Sequence, residues 1–109
     1  MDRDLGVLKC MLDEIDYLQC YTKNLDVDAF MSNEDKKRVV SMTLINIGEL
    51  SRHLSKEFKQ ANKHIPFKDI IGLRDIAAHG YKSLNFQRIW NTLKVDIPDL
   101  KSNIAKLVK

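Results

Sequence analysis

The segment Gly72-Leu73-Arg74-Asp75-Ile76-Ala77-Ala78-His79-Gly80-Tyr81 gathers more reactive side chains than any other part of the sequence. Read as a helix, it places Asp75 and His79 at i and i+4, one above the other on one face, so the carboxylate can accept a hydrogen bond from the imidazole. His79 also falls in the last turn, where the helix dipole favours the imidazolium. Both effects keep a proton available near neutral pH, which a general acid needs. Arg74 lies five residues earlier, roughly 140° around and about 7.5 Å along the helix, so it shares no face with His79. The two can converge only at a cleft. A two-fold axis between copies of the chain supplies one, by bringing an Arg and a His from each to a common seam. Ala77 and Ala78 leave room for that approach. In such a seam guanidinium groups bind phosphate oxygens and stabilise charge developing on phosphorus. The same residues also fit a capping network, with Gly80 as C-cap and Tyr81 as a core residue with a satisfied hydroxyl.

The elements that must position these groups are helical. Leu5, Leu8, Leu12, Ile15, Leu18, Thr22 and Leu25 recur at steps of three and four, predicting a first helix over 3–24. Residues 24–31 read as a connection, and Ser32 with Glu34 and Asp35 reads as the start of a second helix. Its stripe runs through Val39, Met42, Thr43, Asn46, Ile47, Leu50, Leu54 and Phe58 to about residue 60. A straight helix of that length spans ~42 Å, too long for so small a domain, so a bend is expected, at Gly48. Pro66 opens a short third helix over 67–79. Leu84, Phe86, Ile89, Trp90 and Leu93 form a fourth, and Ile97, Leu100, Ile104 and Leu107 continue its stripe, with a kink or break near Asp96 imposed by Pro98. The expectation is an all-α, up-and-down bundle of four to five helices in one domain, 1–109.

Composition agrees. The chain has 109 residues, 44% of them hydrophobic and 30% charged, with four Gly and two Pro, too few turn formers for a β-sandwich or barrel. A chain of this mass exposes roughly 6,000 Å² when folded, against roughly 18,000 Å² unfolded, enough burial for a core without staples. No apolar run approaches the ~18 residues needed to span a bilayer, and the acidic start, Met1-Asp2-Arg3-Asp4, is unlike a secretion signal. Cys10 and Cys20 fall about 15 Å apart along one helix, too far for a disulfide, and no His or Cys lies near them at zinc-ligand spacing. A cytoplasmic protein with reduced thiols is expected.

The net charge of +3 is unevenly distributed. Residues 1–35 hold nine acids and three bases, a net −6, which leaves +9 for residues 36–109. Within the basic part Arg52, Lys56, Lys59, Lys63 and Lys68 are opposed only by Glu57, a candidate phosphate-facing surface that could equally be a solvated helix face. Lys56, Lys59 and Lys63 recur at helical spacing and could track an RNA backbone. His53 and His64 read as exposed or capping residues, Glu49 as a surface partner of His53, and Trp90, Tyr17, Tyr21 and Phe86 as core.

Arg74-Asp75-Ile76-Ala77-Ala78-His79-Gly80-Tyr81 reproduces the pattern R-x-x-x-x-H-x-Y, with a polar residue directly after the Arg, and resembles the signature of HEPN-domain proteins of the HepT toxin family. Ile47-Gly48-Glu49, Ile65-Pro66-Phe67, Ile89-Trp90 and Asp96-Ile97-Pro98 agree with that family too, so the resemblance covers nearly the whole chain. It implies a HEPN-like bundle that forms a homodimer, a metal-independent endoribonuclease needing no cofactor, and the toxin of a type II toxin–antitoxin pair whose partner is a minimal nucleotidyltransferase antitoxin. By position, Arg74 and His79 would be the catalytic pair, Asp75 their polar support, and Tyr81 the acceptor of AMP from the antitoxin. The acidic first helix is a departure, and implies that it faces away from RNA or toward the antitoxin.

Two further functions fit the same residues. A non-catalytic module could dock on a nucleotidyltransferase and hold a nucleotide or phosphate in the Arg74/His79 cleft, because binding and cleaving phosphate call on the same groups. A helical adaptor could use the motif as a capping network alone.

Overall fold

The computed structural model describes residues 2–75 and 84–108, and they form a bundle of helices without a strand among them. The helices are α1 (Asp2–Tyr21), α2 (Val27–Ser32), α3 (Glu34–Arg52), α4 (Lys56–Ala61), α5 (Phe67–Ile71), α6 (Phe86–Asn91) and α7 (Ile97–Leu107). A 3-10 turn over Gly72–Asp75 follows α5, and a π-helical turn over Thr92–Asp96 joins α6 to α7. The radius of gyration, 13.8 Å, is close to the ~13 Å expected of a compact chain of this length. The exposed surface, 6744 Å², is near the value expected from mass.

The core lies between α1, α3 and α7. Leu8, Met11, Ile15 and Leu18 of α1 meet Val40, Leu44 and Ile47 of α3 and Ile97, Leu100 and Ile104 of α7. Three polar contacts pair rising α1 numbers with falling numbers along α3 and its end, Asp4 with Ser55, Met11 with Ser51 and Glu14 with Asn46, so the two helices run antiparallel. On the other side of α1, Lys101 of α7 bonds Asp16 at 2.8 Å and Gln19 at 3.2 Å.

Several local expectations are corrected. Residues 24–31 are not a plain connection: Asp26 accepts a hydrogen bond from the Ala29 N–H at 2.8 Å and starts α2, whose Phe30 is fully buried. Phe30 lies 5.2 Å from the ring of Trp90 and 6.4 Å from that of Phe86, and so ties α2 to α6. The cap of α3 is Asn33, which accepts from the Lys36 N–H, whereas Ser32 closes α2. The stripe of α3 is rotated by about one position, with Val40, Leu44, Ile47 and Ser51 inside and Met42 57% exposed. Tyr17 is 53% exposed and stacks on Tyr21 rather than entering the core.

The second helix does not bend at Gly48, which is buried within α3. It breaks instead at His53 to Ser55. There the Ser55 hydroxyl accepts from the Phe58 N–H at 3.1 Å and caps α4. The Asp4 carboxylate in turn accepts from the Ser55 N–H at 2.8 Å and from its hydroxyl at 2.6 Å. A serine that offers a helix N-terminus its oxygen, held by a carboxylate from another helix, ends the preceding helix more decisively than a glycine in its middle.

Pro98 acts as its chemistry requires, although the chain does not break. The Ile97 N–H reaches back five residues to the Thr92 carbonyl, so the helix widens by one residue just before the ring of Pro98, which would otherwise meet the carbonyl of Lys94.

Candidate active site

The motif segment begins on a short, tightly held helix. Pro66 precedes α5 with no side-chain cap, the Ile70 N–H bonds the Pro66 carbonyl at 3.1 Å, and Phe67 and Ile70 are buried against α3. The helix lasts five residues and then tightens at Gly72, a poor helix former, into the 3-10 turn that carries Arg74 and Asp75 and packs on α3. The continuous α-helix expected over 67–79 is therefore α-helical only to Ile71 and 3-10 from Gly72 to Asp75. His79, Gly80 and Tyr81 lie outside the described residues, and with them the expected Asp75–His79 hydrogen bond, the glycine cap and the AMP-acceptor position.

The neighbouring basic stretch is brought to one place by the break at His53 to Ser55. Lys56 and Lys59 project from α4, Lys63 from the turn after it, and all three line a groove that also receives Lys68 from the first turn of α5. Lys68 belongs to the set although its spacing does not suggest it, because the turn at Pro66 folds α5 back beside α4. The ring of Phe58 packs 5.9 Å from that of Phe67 and holds the two helices together.

The other expected groups separate from these. Glu49 pairs with Arg52, not with His53: the guanidinium donates through Nε at 3.0 Å and through Nη2 at 3.1 Å, and this raises the Arg52 pKa further. His53 is the exposed C-cap of α3, and His64 is exposed. Trp90 is half-buried, with the Lys94 ammonium 4.8 Å above its ring. Cys10 and Cys20 are free and exposed. Among the described residues no three His, Cys, Asp or Glu side chains cluster as metal ligands, and no helix is long and apolar enough to cross a membrane.

Among the described residues these features define a small all-helical bundle with a lysine-lined groove next to the 3-10 turn that opens the motif segment. The model of the HepT-like ribonucleases, described as "Ribonuclease HepT-like", matches residues 11–107. Among curated proteins the chain is similar to "Putative RNase MJ1216" and "Putative RNase MJ0125" of Methanocaldococcus jannaschii, 32% identical to each over 99 residues. Those alignments take in 91% of this chain and 82% and 85% of the relatives. It is also similar to "Probable ribonuclease HepT" of Thermococcus cleftensis, 28% identical over 102 residues, 94% of this chain and 93% of that one. No solved structure matches significantly. The chain belongs to the HepT-like ribonuclease family.

Proposed function

We propose that the chain is a metal-independent endoribonuclease toxin that acts in the cytoplasm as a homodimer, with Arg74 and His79 at a cleft between the two copies. The observation that carries this reading is that Arg74-x-x-x-x-His79-x-Tyr81 lies inside the stretch matched by the ribonuclease family model. The 3-10 turn bearing Arg74 beside a lysine-lined groove supports it.

In this mechanism the substrate provides its own nucleophile. A base takes the proton of the ribose 2′-hydroxyl, and the 2′-oxygen attacks the adjacent phosphorus. The P–O5′ bond then breaks, and the His79 imidazolium gives its proton to the departing 5′-oxygen. Arg74 stabilises the charge that accumulates on the phosphorane oxygens. The products carry 2′,3′-cyclic phosphate and 5′-hydroxyl ends. Asp75 orients His79. Tyr81 is the acceptor of AMP from a minimal nucleotidyltransferase antitoxin, and the added phosphate and base two residues from His79 block RNA by charge and bulk.

The test is cleavage of RNA in the presence of EDTA with end-group analysis of the products. His79→Ala should slow cleavage by about 100- to 10,000-fold, and Arg74→Ala by about 100- to 1,000-fold. Tyr81→Phe should still cleave but resist silencing by the antitoxin and ATP. Cleavage that depends on magnesium, or that survives both alanine substitutions, overturns the assignment. RNA binding without cleavage indicates instead a module that holds phosphate while docked on its nucleotidyltransferase.

A further inference from the structure

The groove between α4 and α5 has a volume of about 490 Å³, within the range of roughly 300–1,000 Å³ typical of ligand sites. Four lysines, Lys56, Lys59, Lys63 and Lys68, line it together with the apolar Ile65, Pro66 and Ile71, and most of its lining surface is apolar. No carboxylate lines it, and no ion pair among the described residues engages any of the four lysines. Four like charges gathered without a counter-ion mark a place for an external polyanion.

The groove is built rather than incidental. The Asn62 side chain donates to the Phe58 carbonyl at 2.9 Å, and the Ile65 N–H donates to the Asn62 carbonyl at 3.0 Å. The Phe58–Phe67 contact fixes one wall against the other, and the Asp4–Ser55 pair anchors the start of α4. Ile71, one of the lining residues, precedes Arg74 by three residues, about 6 Å of backbone at 3-10 rise.

We infer that this groove is a nucleotide subsite for the RNA strand beside the scissile phosphate, with phosphates on the lysines and a base or ribose face on Pro66 and Ile71. The identity of the strand rests on the ribonuclease reading above. A single-stranded nucleic acid brings both partners together, a polyanionic backbone for the lysines and, at every nucleotide, a planar base for the apolar residues. The chain's own acidic first third is a poor candidate, because five of its acids already have partners within the chain: Asp4, Glu14, Asp16, Asp26 and Glu34.

The experiment measures fluorescence anisotropy of a labelled single-stranded oligoribonucleotide with the full chain carrying His79→Ala, over a series of salt concentrations. Replacing all four lysines by Gln should weaken binding by about tenfold or more and lower the log–log salt slope by roughly 0.7 per phosphate neutralised, about 3 for the set. Replacing them by Arg should retain both. With His79 present, the Gln set should raise KM for long RNA by more than it lowers kcat, as expected where uniform binding is removed. Unchanged affinity and slope overturn the proposal. So does RNA binding that persists while binding to a peptide of residues 1–35 is lost, an outcome that gives the groove to an acidic protein. Groove-dependent binding without any cleavage supports the subsite and removes the ribonuclease reading, so the two failures are distinct.

Discussion

Asp4 is a charged group, 4% exposed, that answers to one residue 51 positions away. Burial by itself would push its carboxyl up, but the two hydrogen bonds from Ser55, helped by the charge of Arg3, outweigh this and hold it below its ordinary value of 3.8. Asp4→Ala leaves the Ser55 N–H without its acceptor and should cost about 1–3 kcal/mol of stability, read from urea unfolding. The pH dependence has a definite sign. The unfolded chain takes up the Asp4 proton at a higher pH than the folded one, so the contribution is complete above the ordinary carboxylate value and is lost as pH falls through the lower folded value. Unfolding midpoints followed from neutral pH to below 3.8 should therefore fall more steeply for the wild-type chain than for Asp4→Asn. Nothing in the spacing of Asp4 signals this role, since the partner is remote and the pairing exists only once α1 lies antiparallel to α3.

Helix boundaries carry the next level of control. Gly6 lies on the exposed face of α1, and a methyl group added there meets no atom within 4 Å. Gly6→Ala should stabilise the fold by about 0.5–1 kcal/mol, seen as a raised thermal midpoint, because the glycine loses more backbone freedom on entering a helix. Ser55→Ala removes the cap of α4 and should cost about 1 kcal/mol, with a matching loss of helicity. The helices themselves were legible in the sequence because apolar spacing sets them: α1, α3, α6 and α7 lie where the stripes of leucine and isoleucine predict. Their ends and faces were less so. Met42 and Leu44 are equally apolar, and only the packing of α3 against α1 decides that Leu44 is buried and Met42 is not. The site was legible as a motif and a basic stretch, but the joining of Lys68 to Lys56, Lys59 and Lys63 depends on how the chain turns at Pro66, which no periodicity encodes.

At the scale of the whole molecule, the charge asymmetry has become a difference in use. Acids of the first third cap α2, hold Ser55, and pair with Asn46, Lys101, Lys37 and Arg38, so part of that negative charge serves the bundle itself. Among the described residues no ion pair gives the lysines of the groove such an internal duty. In the homodimer proposed above, each copy contributes one Arg and one His to a shared centre. Specific cleavage activity should therefore fall as the protein is diluted through the dimer–monomer transition followed by sedimentation. The Asp4–Ser55 link has a kinetic corollary as well. Because α4 is fully capped only after the first turn of α1 has docked, the amides of Phe58 and Lys59 should exchange with deuterium through the same opening that releases α1, making the chain's beginning and its lysine helix one cooperative unit.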